Sequence, residues 1–230
     1  IFSGLTANPL IGKLSDLIVS HGGSIIFSEI TEVRDAAEIL IKRSLNESIA
    51  TKLKDEFKWY DKYLAQSGVD RKANTTPGNI AGGISNIVEK AMGSVVKSGT
   101  SCISDVISAG DVMQNKGLNF LAGPSSDFVC GTLQMAAGAN MHIFTTGRGT
   151  PYSLDGFPTI KVASNNNLYE KWEDIIDFNA GVLIDGASNI DELSVNFLNY
   201  ILETASGSKT CAENLKISNP IALFNPAPIT

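Results

Sequence analysis

Apolar positions along this chain follow two patterns, one typical of buried strands and one typical of helices. Short apolar runs predict five strands, at 25–27, 118–121, 141–144, 159–162 and 181–184. Each run is brief and is followed by polar or glycine residues, as expected where a buried strand ends. No repeat and no linker divides the chain.

Helical periodicity fills most of the segments between these runs. It predicts helices at 8–20, 33–66, 84–92 and 133–139, and a further helix between Asn189 and Gly207. Asn8 followed by proline resembles a helix start, with Asn8 as the cap. Asn189, with a glutamate three residues later, resembles a capping box. Strands that alternate with helices predict an α/β domain with a largely parallel sheet flanked by helices.

Composition narrows the class of protein. The chain has 230 residues, 43% of them hydrophobic, with a net charge of −6 and a pI near 4.9. Its basic residues are scattered, which argues against nucleic-acid binding. No apolar run is long enough for a membrane span. Three separated cysteines without a CxxC spacing indicate neither a zinc knot nor a redox pair, and their odd number suits the cytoplasm.

The segment 141–150 is the best candidate for chemistry. A buried strand there ends in a turn that offers two hydroxyls, an arginine and two glycines, which are Thr145, Thr146, Gly147, Arg148 and Gly149. Ligands often bind where strands of an α/β sheet end in such turns. Arginine binds planar oxyanions bidentately. The turn therefore suggests a carboxylate or phosphate site, although an ordinary loop remains an alternative.

Five segments taken in order extend this interpretation: 2–9, 76–83, 145–149, 160–165 and 177–181. Together they resemble the C-terminal domain of the altronate/galactarate dehydratase family, whose members remove water from sugar acids. The resemblance implies that residues 1–230 form the catalytic C-terminal domain. It also implies that N-terminal domains and a Cys-Gly-Gly-Ser-Asp-like segment are missing, so that the fragment alone would fold without much activity.

Dehydration of a sugar acid needs a base for the proton next to the carboxylate and an acid for the departing hydroxyl. Arg148 is the candidate for holding the carboxylate. Lys161 lies inside an apolar strand, where desolvation would lower its pKa and make it a plausible base, unless it is a snorkelling strand lysine. Glu29 follows the strand at 25–27, where a carboxylate suits metal binding or proton transfer, or simply begins a helix.

Four asparagines are candidates for binding substrate hydroxyls: Asn8, Asn79, Asn165 and Asn179. Each also has a structural alternative as a helix cap or a turn residue. Asp177 and Asn179 should point to one side of a strand, because side chains alternate along it.

The resemblance implies a divalent metal, with iron(II) the first expectation. The residues themselves contain no recognisable metal-binding spacing, so the ligands are unknown. A homo-oligomer is compatible with the sequence. Two other functions stay open: a sulfolactate sulfo-lyase of the same family, and a non-catalytic domain that binds anions or mediates assembly.

Overall fold

Two three-stranded parallel sheets, each flanked by helices, form the centre of the protein. The computed structural model describes residues 2–68, 77–81 and 84–222, with only the backbone of Ser67 and Asn79. The first sheet has the order β1-β3-β2, with β1 (Ser24–Phe27), β2 (Ile103–Ser108) and β3 (Gly117–Ala122). The second has the order β4-β5-β6, with β4 (His142–Thr146), β5 (Thr159–Ala163) and β6 (Phe178–Asn179). The predicted α/β class is confirmed, with the strands divided between two sheets.

Helices precede, connect and follow these strands. In chain order they are α1 (Phe2–Leu5), α2 (Ala7–Ser20), α3 (Ile30–Val33), α4 (Ala37–Lys42), α5 (Glu47–Ser67), α6 (Pro77–Ala81), α7 (Ile87–Lys97), α8 (Asp127–Ala136), α9 (Asn166–Lys171), α10 (Ile190–Ala205) and α11 (Cys211–Asn214). None of the helices within the described ranges is both long and apolar enough to cross a membrane.

Helix α2 joins the cores of the two sheets. Its residues Leu10 and Leu14 pack with Ile160 of β5 and Phe197 of α10, and all four side chains are almost completely buried. Burying one such side chain stabilises the fold by about 2 kcal/mol. On its other side α2 contacts α7, where Gly12 lies so close to the α7 backbone that a Cβ would overlap it. This close approach fixes the start of α2 beside α7.

One predicted strand is wrong. Residues Gly181–Leu183 form a 3-10 turn, and the strand is β6, two residues earlier. The Asn179 side chain accepts a hydrogen bond from the N–H of Gly181 at 2.8 Å and turns the chain out of the sheet. Gly181 then packs against the backbone of Asn165 and Asn166, where a side chain would not fit.

The predicted helix at 33–66 is interrupted, and β2 was not predicted. Residues 43–45 leave the helical path because the Ile103 N–H donates to the Arg43 carbonyl and the Leu45 N–H donates to the Ile103 carbonyl. Asn46 then starts α5 by accepting from the Ile49 N–H at 3.1 Å. The polar residue Asp105, buried in β2, breaks the apolar run that would have revealed this strand.

The predicted helix boundaries hold in part. Asn189 caps α10 as expected, since its side chain accepts from the Glu192 N–H at 2.9 Å. Asn8 is not a cap: α2 begins one residue earlier, with Thr6 at the cap position. The helices predicted at 84–92 and 133–139 are α7 and α8, displaced along the chain by several residues.

Candidate active site

A cleft of about 840 Å³ lies between the two sheets, at the carboxyl ends of β1 and β4. Its walls are the start of α2, one face of α7, part of α8 and the loop that follows β4. Seven residues predicted from sequence line it: Asn8, Glu29, Thr145, Thr146, Gly147, Arg148 and Gly149. Lys161, Asn165 and Asn179 do not line it. The Asn79 side chain is outside the part of the chain that the structure describes.

The loop after β4 is held in shape by its own hydroxyl group. Thr146 Oγ1 accepts from the N–H of Gly149 at 3.0 Å and from that of Arg148 at 3.4 Å. Gly149 has φ +87° and lies against the Trp172 ring, so a side chain here would be both strained and obstructed. The Arg148 side chain is exposed, and its guanidinium forms no hydrogen bond or ion pair within the described residues. It is therefore available to an anion in the cleft.

Asn165 supports this loop from below. Its side-chain oxygen accepts from the Leu168 N–H at 2.9 Å and caps α9, and its amide donates to the Gly147 carbonyl at 3.2 Å. Asn179 also has a structural role. Its side chain accepts a hydrogen bond from the Gly181 N–H and donates one to the Asn166 side chain, both at 2.8 Å. Both side chains are occupied by these bonds.

Lys161 is 0% exposed and points away from the cleft. Its Nζ lies 3.5 Å from the Tyr152 carbonyl oxygen. Burial lowers the pKa of Lys161, as expected from the sequence, although Asp177 opposes the shift. Asp177 itself accepts from the Lys161 N–H at 2.7 Å and from the Tyr200 hydroxyl at 3.1 Å. The structure does not bring Lys161 together with Arg148 and Glu29.

Glu29 follows β1 with an unusual backbone. It has φ 77° and ψ 64°, the left-handed region that residues other than glycine rarely occupy. Its carbonyl accepts from the Glu32 N–H at 2.9 Å and starts α3. Such strain costs about 1–3 kcal/mol and is found most often at functional sites. The strained turn aims the Glu29 side chain at the cleft.

Glu29 belongs to a network of charged side chains on α3 and α7. Glu32 accepts from Lys90 Nζ at 2.7 Å and from Ser94 Oγ at 2.6 Å, and Lys97 lies near both carboxyl groups. Lys90, Ser94 and Lys97 share one face of α7, at spacings of four and three residues. The network therefore joins two carboxyl groups and two lysines at one end of the cleft.

The two carboxyl groups have opposite protonation tendencies. Burial, and then the charge of Glu32, raises the pKa of Glu29 to about 8. Burial also works against the charge on Glu32, but Lys97 and Lys90 outweigh it and hold the pKa of Glu32 well below its ordinary value. Burial likewise opposes the charge on Lys97, but the two glutamates outweigh it and raise its pKa. At neutral pH these shifts favour the protonated form of Glu29, the ionised form of Glu32 and the charged form of Lys97.

Two further polar groups line the cleft. Asn8 is only 7% exposed, and its side-chain oxygen has no hydrogen-bond partner within the described residues. Its amide nitrogen lies beside Gly93 of α7, so it reaches the charged helix face. Cys130 is buried against the Ser28 hydroxyl at 2.7 Å, and burial raises the pKa of its thiol. Cys130 is therefore an inert thiol and not a nucleophile.

Sequence reasoning missed Glu32, Lys90, Ser94 and Lys97. The three α7 residues could have been found from their spacing of four and three, but the predicted helix ended at residue 92. Among the residues that the structure describes, no three His, Cys, Asp or Glu side chains converge on a point suited to a metal ion. This part of the chain does not fit a metal centre.

The fold and the cleft together define the class: an α/β domain with a glycine-flanked arginine turn opposite a carboxyl–lysine network. The family described as "D-galactarate/Altronate dehydratase, C-terminal" matches residues 1–229, and the chain belongs to this family.

Curated relatives agree with this assignment. Over its whole length the chain is 48% identical to galactarate dehydratase (L-threo-forming) of Escherichia coli K12, covering 44% of that protein. It is 40% identical to altronate dehydratase of Bacillus subtilis 168, over 90% of the chain and 41% of the relative. It is 29% identical to (2R)-sulfolactate sulfo-lyase subunit beta of Chromohalobacter salexigens, over 93% of the chain and 56% of the relative. The chain thus spans less than half the length of the two dehydratases.

Proposed function

We propose that the protein removes water from a sugar acid, with galactarate the first candidate substrate and altronate the second. The observation that supports this most strongly is the 48% identity to galactarate dehydratase along the entire chain. The product of such a reaction is a 2-keto-3-deoxy acid. The cleft between β1 and β4 contains groups suited to each part of this chemistry.

The reaction develops negative charge next to the substrate carboxylate. Removal of the adjacent proton gives an enediolate, which fixed positive charge stabilises. Arg148 is suited to binding the carboxylate through its guanidinium fork. Thr145, Thr146, Gly147 and Gly149 line the cleft beside it and offer hydroxyl and backbone groups. Lys90 and Lys97 add positive charge at the other end of the cleft.

Glu29 and Lys161 remain the candidates for proton transfer. Glu29 lines the cleft, and its raised pKa favours the protonated form, which suits it to the role of an acid. Lys161 has the lowered pKa expected of a base, but it would need a rearrangement to reach a substrate in this cleft. Its assignment as the base stays a prediction.

Dependence on a divalent metal, with iron(II) the first expectation, also stays a proposal that rests on the family resemblance. The described residues offer no cluster of ligands, so no step of the reaction is routed through a metal here. Chelation followed by addition of single metal ions to the full-length protein tests this dependence. The cytoplasmic location and a homo-oligomeric state are further proposals; the three cysteines are free, in agreement with a reducing compartment.

A second function within the family is supported by the sulfo-lyase relative at 29% identity. Purified full-length protein should be incubated with galactarate, altronate and sulfolactate in parallel. A 2-keto-3-deoxy acid from either sugar acid would support the dehydratase. Sulfite released from sulfolactate alone would favour the sulfo-lyase, and binding without turnover of any compound would favour a non-catalytic anion-binding domain.

A further inference from the structure

Two neighbouring carboxyl groups in the cleft have very different partners. Both oxygens of Glu32 are engaged, one by Lys90 Nζ at 2.7 Å and the other by Ser94 Oγ at 2.6 Å. Glu29 forms no ion pair within the described residues, and its carboxyl group lies close enough to Glu32 for Glu32 to raise its pKa. A proton shared between them therefore favours Glu29, because Lys90 and Ser94 stabilise the carboxylate form of Glu32.

Within the described residues, several charged and titratable groups lie around this proton. They come from three helices: Glu32 of α3, Lys90 and Lys97 of α7, and Asp127 and Cys130 of α8. The acidic groups Glu32 and Asp127 favour a neutral Glu29, and Lys97 opposes them. The charges of both glutamates act in turn on Lys97 and raise its pKa, so Lys97 stays positively charged beside them.

A second observation indicates that a hydroxylated ligand binds beside this pair. Asn8 lies in the same cleft, next to Gly93 on the α7 face that carries Lys90 and Lys97. Its side-chain oxygen is buried, and no hydrogen bond satisfies it within the described residues. A buried acceptor of this kind is costly unless a donor fills it. A sugar hydroxyl is such a donor.

We propose that Glu29 is the general acid that protonates the departing β-hydroxyl of the substrate, that Glu32 is a positioning residue that keeps its proton in place, and that Lys97 opposes Glu32 and limits how tightly Glu29 holds this proton. This inference rests on the proposed dehydratase function. Once the proton next to the carboxylate has been removed, the electron pair of the enediolate forms the C=C bond. The C–O bond breaks, the Glu29 proton joins the leaving oxygen, and one water molecule is released.

The resulting Glu29 carboxylate regains a proton from solvent, while the enol becomes the keto acid. The base that took the proton next to the carboxylate returns it to solvent, so every proton and electron pair is accounted for without an oxidant or reductant. General acids of this kind accelerate reactions by about 10²–10⁴-fold. Glu32 and Lys97 act through Glu29 and need not touch the substrate.

The main test uses Glu29→Gln in the full-length protein. Glutamine has the same shape as the neutral glutamic acid, so the variant should fold, but it cannot supply the proton. We expect kcat for water elimination to fall by about a hundredfold or more. Exchange of the proton next to the carboxylate, followed in D₂O, should persist. Glu38→Gln, on the exposed surface of α4, is the matched control and should keep both activities.

A second test separates positioning from simple structural support. Glu32→Gln removes the negative charge that holds the proton on Glu29, so the pH at which kcat declines on the alkaline side should move to lower pH. If Glu32 had only a structural role, its substitution would lower kcat without changing the pH of this alkaline decline. Lys97→Gln should move the alkaline decline of kcat to higher pH, because the charge of Lys97 lowers the pKa of Glu29.

The outcomes distinguish this inference from the proposed function. A wild-type protein that dehydrates no sugar acid overturns the proposed function. An active wild type with equally active Glu29→Gln overturns only the assignment of the acid. Loss of proton exchange together with turnover in Glu29→Gln would make Glu29 the base, and would also overturn it. Retained exchange with lost water elimination is the result that we expect.

Discussion

The ends of β1 and β4 face the same cleft but differ in how their functional groups are held. Arg148, after β4, is exposed on a glycine-flanked turn and has no partner in the described part of the chain. Glu29, after β1, is strained, partly buried and surrounded by charged side chains from three helices. A free arginine suits capture of an anion that arrives from water. An enclosed carboxyl group suits a proton transfer whose pKa must be adjusted.

The largest expected effect comes from the buried charge at the β1 end. Lys97→Met removes a positive charge that acts on Glu29 and Glu32, although Glu32 keeps its ion pair with Lys90, and should reduce the free energy of unfolding by about 2 kcal/mol. Lys161→Met is the matched control, because Lys161 is fully buried but lies outside the cleft. It should cost less, because Asp177 keeps its hydrogen bonds from the Lys161 N–H and the Tyr200 hydroxyl, and a buried lysine can give way to an apolar side chain. Urea denaturation of both variants measures the difference.

Activity of the same two variants sharpens the comparison. We expect turnover to fall in Lys97→Met, whereas the outcome for Lys161→Met tests whether Lys161 is the base. If Lys161→Met instead abolished exchange of the proton next to the carboxylate while Lys97→Met remained active, Lys161 would be the base as its strand position suggested.

The next effect concerns the β4 end. Arg148→Lys keeps the charge but loses the bidentate fork. We expect kcat/KM to fall by about tenfold to a thousandfold, with an unchanged melting temperature because the side chain is exposed. Arg34→Lys is a suitable control, since Arg34 pairs with Asp61 at 2.6 Å and does not line the cleft. Normal kinetics in folded Arg148→Lys would remove this residue from the site.

The sequence predicted the β4 end better than the β1 end for a physical reason. The Thr-Gly-Arg-Gly turn is local, so consecutive residues reveal both its shape and its chemistry. The β1 end is assembled from Glu29, Glu32 and a helix face some 60 residues away, with Ser94 at a separation of 62 from Glu32. Each of its carboxyl and lysine groups, taken alone, resembles an ordinary charged residue in the sequence. They form a network only through tertiary contacts, which the periodicity of apolar positions does not predict.

The same limit explains the errors in the fold. Strand β2 and the break at residues 43–45 depend on each other, through hydrogen bonds between Arg43, Leu45 and Ile103. Neither the strand nor the helix break can be predicted from the residues next to it in the sequence. Asn189 was predicted correctly, because a helix cap depends only on residues within the first turn.

The smallest effect should come from the support under the β4 loop. Asn165→Ala removes the cap of α9 and the bond to Gly147, and should cost about 1 kcal/mol of stability. Asn165→Asp retains the cap acceptor but cannot donate to the Gly147 carbonyl. If the loop bond matters for binding, Asn165→Asp should raise KM while its melting temperature stays near that of wild type. An equal KM in both proteins would limit Asn165 to capping.

The central claim is that Glu29 holds a proton at neutral pH while Glu32 does not. Infrared difference spectroscopy of the full-length protein, recorded as the pH is raised, detects the carbonyl band of a protonated carboxyl group directly. Because the pKa of Glu29 is raised to about 8, its protonated form persists at neutral pH and disappears as the pH rises through that value. We predict such a band in wild type and its absence in Glu29→Gln. Titration of every carboxyl group at its ordinary acidic pH, or survival of the band in Glu29→Gln, would contradict the account.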